Sequence, residues 1–222
     1  KNMVGREIDN IYPKRERTKP GEIVLEVKNW NAYDPKLGRS ILKDINFHVK
    51  KGEIVGFAGL MGSGRTELAL SIFGNPDGFK ISGEITILGS KRRFGHPQDA
   101  ITAGVAYVTE DRKGDGLILI QDVKQNITIA NLKEIANRGV VNINSEVKVA
   151  KEYKVSLNIK TPSVEQKVSN LSGGNQQKVS LGKWLFVHPN ILILDEPTRG
   201  IDVGAKFEIY TIMTKLVEQG MS

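Results

Sequence analysis

Three stretches of this chain carry residue types at spacings suited to phosphate chemistry. In the first, VGFAGLMGSGRT (55–66), an apolar run that could be a buried strand leads into Gly59, Leu60, Met61, Gly62, Ser63, Gly64, Arg65 and Thr66. Glu67-Leu68-Ala69-Leu70 follows and reads as the start of a helix. The glycines let successive backbone N–H groups turn inward around an anion, and the first helical turn adds free N–H groups and a positive dipole end. The hydroxyl of Thr66 would hold Mg²⁺. The spacing fits G-x-x-x-x-G-K-[ST] except at one position, where Arg65 stands in place of lysine. Taken alone, the stretch also fits a glycine-rich β-to-α turn with no ligand, but the strand before it and the helix after it favour phosphate.

The second stretch is ILILDE (191–196), an apolar run ending in two acids. A fully buried parallel strand delivers its functional groups at its C-terminal end, where open α/β sheets bind ligands. Asp195 is placed to meet the metal held by Thr66, and Glu196 could take a proton from an attacking water; a solvated strand end is the alternative. The third stretch is Leu171-Ser172-Gly173-Gly174-Asn175, running into QQKVSLGKWLF. Two glycines before a helix expose backbone N–H groups and Ser172 adds a hydroxyl, which makes a second anion-binding terminus. For so short a motif taken alone, an ordinary Ser/Gly helix start with no ligand is the better explanation.

These residues need a scaffold. Residues 1–22, carrying YPKRERTKPG between Pro13 and Pro20, read as a linker or leader, and a domain is expected over 23–222. IVLEVKNW and ILKDINFHV predict two strands of an antiparallel layer that GEITILG joins. IVGFAG (54–59) predicts the buried strand feeding the glycine loop. A first helix should end near Gly74-Asn75-Pro76, a second should start at His96-Pro97 and close at Gly104, and VAYV should be a short strand running into Thr109-Glu110-Asp111-Arg112-Lys113. Residues 123–160 have helical spacing and no strong strand signal, so a mostly helical insertion is expected. Val179, Leu181, Leu185 and Phe186 would form the core stripe of the helix after the third stretch. Val203–Glu218 predicts a last amphipathic helix.

Bulk properties exclude several classes. The 222 residues suffice for one sizeable core with a smaller lobe, and 39% hydrophobic with 26% charged residues is ordinary globular composition. No apolar run approaches a bilayer span and no signal-peptide core is present, so the chain is expected to be cytoplasmic. The absence of cysteine rules out disulfides and thiolate metal sites. The net charge of +7 is spread along the chain, as on a solvated face, rather than blocked as in a nucleic-acid patch.

The glycine loop, the LSGGN at Leu171–Asn175, the strand ILILDEP and the turn containing Asp202, in this order, resemble the nucleotide-binding domain of an ATP-binding cassette (ABC) transporter. LMGSGRTEL, YVTEDRK, LSGGNQQKV and LDEPTRGIDVGAK are most similar to the second of two cassettes carried on one polypeptide in bacterial importers of monosaccharides such as ribose, galactose and xylose. The resemblance implies an α/β fold: a P-loop NTPase core with a parallel sheet, an N-terminal antiparallel β-layer and a helical subdomain at about 112–186. It also implies that the domain stops short of a strand carrying a switch histidine, a position that none of His48, His96 or His188 occupies.

In such proteins two cassettes close head to tail around two ATP molecules. Gly59 to Glu67 would bind one nucleotide, Thr66 and Asp195 its Mg²⁺, and Glu196 and Glu110 would be catalytic. Leu171, Ser172, Gly173, Gly174 and Asn175 would act on the partner cassette's nucleotide, and Asp202 would lie near the interface. Tyr33, just after the first strand, would stack on adenine, with Trp30 as its rival. The implied partners are a first cassette, transmembrane permease subunits at the inner face of the membrane and, indirectly, a sugar-binding protein, with no nucleic acid. Arg65 keeps the charge of the lysine it replaces but is a larger planar fork, and a misplacement of about 1 Å can cost about 10²-fold in rate. Glu110 stands where most cassettes have glutamine. Both changes imply an ATPase whose own pocket binds ATP and turns it over slowly, with a regulatory module that does not hydrolyse ATP as the alternative. A soluble cassette acting on ribosomes or DNA is a third reading, favoured only by the net charge.

Overall fold

The computed structural model describes Tyr12, Pro13 and residues 21–222. The expected leader at 1–22 lies largely outside the described residues. The rest divides into two compact units.

One unit comprises residues 21–107, 189–195 and 216–222. Its four-stranded antiparallel sheet is built from β1 (Ile23–Asp34), β2 (Arg39–Lys50), β3 (Lys80–Ile87) and β4 (Ser90–Arg92), in the order β2-β1-β3-β4. The β1 sequence contains Val24, Leu25, Val27, Trp30 and Ala32, all buried. Its alternation is broken by a bulge at Lys28-Asn29, where Asn29 takes a left-handed φ of 49°. Opposite that bulge Gly83, at φ 111°, lies where a Cβ would collide with the Asn29 carbonyl, so β3 requires glycine there. Helix α1 (Arg65–Ile72) follows the glycine loop. Helix α2 (Pro97–Thr102) starts as expected: His96 accepts a hydrogen bond from the Gln98 N–H, Asp99 reaches back to the His96 N–H, and Gly104 at φ 83° ends the turn.

Strand β5 (Val105–Val108) pairs with β8 (Ile191–Leu194) in a parallel sheet. Only Ile191 of β8 is buried and residues 192–194 are half-buried, so the expectation of a fully buried strand holds for its first residue alone.

The expected strand at 54–59 does not form. Residues 53–60 make no ladder, and Ile54 and Phe57 are exposed. An apolar run becomes a strand only where a neighbour takes up its N–H and C=O groups. Among the described residues β5 and β8 pair with each other, and no strand flanks this segment. Phe57 rests edge-on against Phe47 of β2 instead.

The other unit comprises residues 108–188 and 196–215, with Tyr12. A π-type turn at Arg112–Gly116 leads to α3 (Val123–Thr128), α4 (Leu132–Ile135), β6 (Ala136–Asn137), β7 (Val140–Val141), α5 (Ile143–Ser156) and α6 (Gly173–Leu185). The insertion at 123–160 is mostly helical as expected, with the small β6–β7 hairpin as an element that the helical spacing did not predict. Its two-residue loop, Arg138-Gly139, has both φ values positive, as a tight right-twisted hairpin demands. Val179, Leu181, Leu185 and Phe186 are buried as the periodicity predicts. Gly182 brings α6 close to Ile127 and Leu157, where an added Cβ would sit 3.4 Å from both. Helix α7 (Val203–Glu218) has the expected limits, and the buried Lys178 of α6 pairs with Glu208 of α7 while donating to the Asn158 carbonyl (2.7 Å).

Candidate functional site

The glycine loop belongs to the first unit. Gly62 (φ 75°) and Gly64 (φ 89°) both have left-handed backbones, which turn consecutive peptide groups the same way. A Cβ at Gly62 would meet nothing within 4 Å, so conformation rather than crowding selects glycine there. Gly64 is buried, and a Cβ on it would sit 3.0 Å from Leu42 Cδ2. It is the N-cap of α1, and no side chain caps that helix. A helix N-terminus reached through glycines rather than through a capping side chain suits a phosphate oxygen. At the tip Leu60 and Met61 are 85% and 89% exposed, and the Ser63 N–H bonds the Leu60 carbonyl (3.1 Å).

Asp195 is buried at the end of β8, and Tyr107 of β5 donates its hydroxyl to Asp195 Oδ2 (3.1 Å). The Tyr107 ring packs on Phe73, with centroids 5.5 Å apart. Sequence reasoning missed Tyr107, because VAYV reads as plain strand and only the β5–β8 pairing brings its hydroxyl to the carboxylate. The Thr66 hydroxyl and the Asp195 carboxylate are each hard-oxygen donors of the kind Mg²⁺ takes. Among the described residues no cluster of three His, Asp or Glu offers a rival metal site.

The two aromatic candidates separate cleanly. Trp30 is 6% exposed and its indole N–H is bonded to Ser71 Oγ (2.9 Å), so it is a core residue. Tyr33 lies inside β1 rather than just after it, is 38% exposed, and has Lys80 Nζ 5.9 Å from its ring centroid.

The second unit gathers three of the motifs. The turn after β8 places Glu196 at a left-handed φ of 43°, unusual for a side-chain-bearing residue, and the Arg199 N–H closes that turn on the Glu196 carbonyl (3.0 Å). Asp202 accepts from the Ala205 N–H (2.9 Å) and so caps α7, a role its Asp-x-x-Ala spacing could have signalled. Glu110 is ion-paired with Arg199. Arg112 donates to the carbonyls of Arg199 (2.8 Å) and Gly200 (3.2 Å). The Asp111 carboxylate accepts from the Lys113 and Gly114 N–H groups, bonds that hold it below the ordinary carboxylate range.

Ser172 is the N-cap of α6 without capping it through its side chain, and its hydroxyl instead accepts from Asn175 Nδ2 (2.9 Å). Asn175 Oδ1 in turn accepts from the Lys160 N–H (2.8 Å). The two glycines are packed. A Cβ on Gly173 would sit 2.9 Å from Arg112 Nη2 and 3.2 Å from the Gly200 carbonyl, and one on Gly174 would sit 2.5 Å from the Ala205 Cβ. At the far end of α6 Lys183 donates to the Gly116 carbonyl, and burial pulls its ammonium pKa down to about 8. Neither Arg112 nor Arg199 was singled out for chemistry by residue type; only folding shows that EDRK and TRG interlock.

The profile of the ABC transporter family matches residues 42–199. The chain is 56% identical to the L-arabinose transport ATP-binding protein of Geobacillus stearothermophilus over 221 residues, covering 99% of this chain and 43% of the relative. It is 52% identical to the xylose import ATP-binding protein of Thermoanaerobacter pseudethanolicus over 220 residues, with the same two coverages. The chain thus spans less than half the length of these relatives. Among solved structures, a dimeric ATP-binding cassette in a post-hydrolysis state bound to ADP and Pi superposes with a TM-score of 0.72 at 25% identity, covering 89% of this chain and 84% of that one. No helix among the described residues is long and apolar enough to cross a membrane.

Proposed function

The chain belongs to the ABC transporter family, and from that premise we propose that it is the second ATP-binding cassette of a monosaccharide importer, coupling ATP binding and hydrolysis to uptake through a membrane permease. The observation that carries this reading is the glycine loop, whose two left-handed glycines lead into an α1 uncapped by any side chain. Tyr33 would face the adenine, and Gly59 to Glu67 would bind the phosphates. Thr66 and Asp195 would hold Mg²⁺, which neutralises phosphate charge when bound, and the Tyr107 hydroxyl orients the Asp195 carboxylate.

In hydrolysis a water oxygen attacks the γ-phosphorus, the bond to the bridging oxygen breaks, and Glu196 accepts the proton of the water. The left-handed backbone at Glu196 supports that role, since strain of this kind persists where the fold aims a side chain. Arg65 supports slow turnover in this chain's own pocket, because its planar fork replaces a compact ammonium. The N-terminus of α6, with Ser172, would serve the nucleotide of a partner cassette on the same polypeptide. Arg65 also favours a second reading, a regulatory module that binds ATP without hydrolysing it.

The test uses the full-length protein and measures ATP binding and turnover for the native chain, Arg65→Lys, Glu196→Gln and Ser172→Arg. The expected result is intact binding throughout, turnover abolished by Ser172→Arg, and turnover little changed by the other two. Turnover that survives Ser172→Arg but vanishes with Glu196→Gln overturns the asymmetric reading.

A further inference from the structure

A cluster outside the phosphate loop ties together segments far apart in sequence. Arg199 is held twice from one loop: Glu110 pairs with its guanidinium, and Arg112, two residues further on, donates to its carbonyl and to that of Gly200. The Arg199 N–H bonds the Glu196 carbonyl in the same turn. Arg112 Nη2 and the Gly200 carbonyl lie 2.9 and 3.2 Å from where a Cβ of Gly173 would be, so the first residue of α6 rests against the same cluster. Every one of these groups lies within the second unit.

We propose that Arg199 is a positioning residue, clamped by Glu110 and Arg112, that sets the N-terminus of α6 and the turn bearing Glu196 at one fixed spacing. Its effect is geometric rather than energetic: the Arg199 side chain is 60% exposed, and exposed ion pairs contribute little to stability. The three motifs supply complementary parts. Glu110 and Arg112 come from EDRK, Arg199 and Gly200 from TRG, and Gly173 from the glycine pair, where a methyl group would push the guanidinium of Arg112 aside. The clamp also gives a carboxylate at 110 a purpose that an amide cannot meet, because a glutamine there would hydrogen-bond Arg199 without neutralising it. The charge of Glu110 is thereby taken up by Arg199 and not left for the phosphates.

The inference rests on the proposed role of the α6 N-terminus in turnover, so the experiment has two readouts. In the full-length protein, ATP turnover and hydrogen–deuterium exchange of the segments 109–116 and 196–203 are measured for Arg199→Glu, Glu110→Lys, the double reversal, and Ser172→Arg as control. Each single reversal is expected to lower kcat at least about fivefold with KM for ATP within about twofold, the signature of a misplaced group rather than lost binding. Both segments should exchange faster, and the double reversal should restore kcat and protection together. Single reversals that leave kcat and exchange unchanged overturn the clamp, as does a double reversal no better than either single. If Ser172→Arg leaves turnover intact, the proposed function has failed instead and exchange alone decides: loss and recovery of protection supports the clamp, and unchanged protection refutes it.

Discussion

Moving one methyl group across the α6–α7 contact would distinguish two explanations for the glycines of LSGGN. In Gly174→Ala the new Cβ would stand 2.5 Å from the Ala205 Cβ, about 1 Å inside ordinary van der Waals contact, with backbone-anchored atoms on both sides. Neither methyl can rotate away, so α6 and α7 must separate. Overpacking of this kind costs about 1–3 kcal/mol, and the gain in helix propensity from glycine to alanine returns at most about 1 kcal/mol. With the full propensity gain the net expectation is a loss of about 0–2 kcal/mol. Ala205→Gly removes the opposing methyl and leaves the Ala205 Cα at 3.8 Å from the new Cβ, an ordinary contact; alone it costs about 1 kcal/mol through glycine in a helix. The double variant should therefore be more stable than the sum of the single effects by about 1–3 kcal/mol. Urea denaturation followed by circular dichroism, with equal m-values across the four proteins, measures this coupling. Additive effects would refute the packing argument. Gly174→Ala with native stability but no ATP turnover would assign the glycine to close approach of a ligand instead.

Buried polar and aromatic groups supply the remaining tests. Burial lowers the Lys183 ammonium to about 8 from its ordinary 10.5, so between these values the unfolded chain binds more protons than the folded one. Its contribution to stability is fully present above about 10.5 and is lost as pH falls through about 8. Unfolding midpoints should rise with pH across that window, and Lys183→Met should flatten the rise; an unchanged profile would show that Lys183 is solvated. Trp30→Phe breaks the buried bond to Ser71 and should cost about 1–2 kcal/mol while leaving nucleotide affinity intact. Tyr33→Ala should do the reverse, weakening ATP binding about tenfold at native stability. Calorimetric titration with ATP separates the pair, and equal affinity loss in both would remove Tyr33 from its assigned place.

Much of this protein is legible in residue types and local spacing. The glycine loop, the LSGGN helix start and the ILILDE strand end are contiguous motifs, and each is set by backbone conformations that neighbouring residues dictate. Helix α7 has the limits its periodicity predicts, because an amphipathic run with a capping Asp202 supplies its own hydrogen bonds. The strand expected at 54–59 shows where that reasoning stops. Strand formation depends on a partner, and no property of IVGFAG itself provides one. The β6–β7 hairpin was missed for the opposite reason: its signal is two positive φ values at Arg138 and Gly139, weaker than the helical pattern around it.

What tertiary structure alone decided is which charged and aromatic side chains meet. Residue type left Trp30 as a rival to Tyr33 for the adenine, and burial beside Ser71 separates them. Glu110 read as a departure from the usual glutamine at a phosphate site, and its partner Arg199 lies 89 residues further along the chain. Tyr107 and Asp195, 88 residues apart, meet only because β5 and β8 are neighbours. Hydrogen-bond and ion-pair energies fall off over a few ångströms. A sequence specifies which groups are capable of such bonds, and only the folded chain brings two of them within reach.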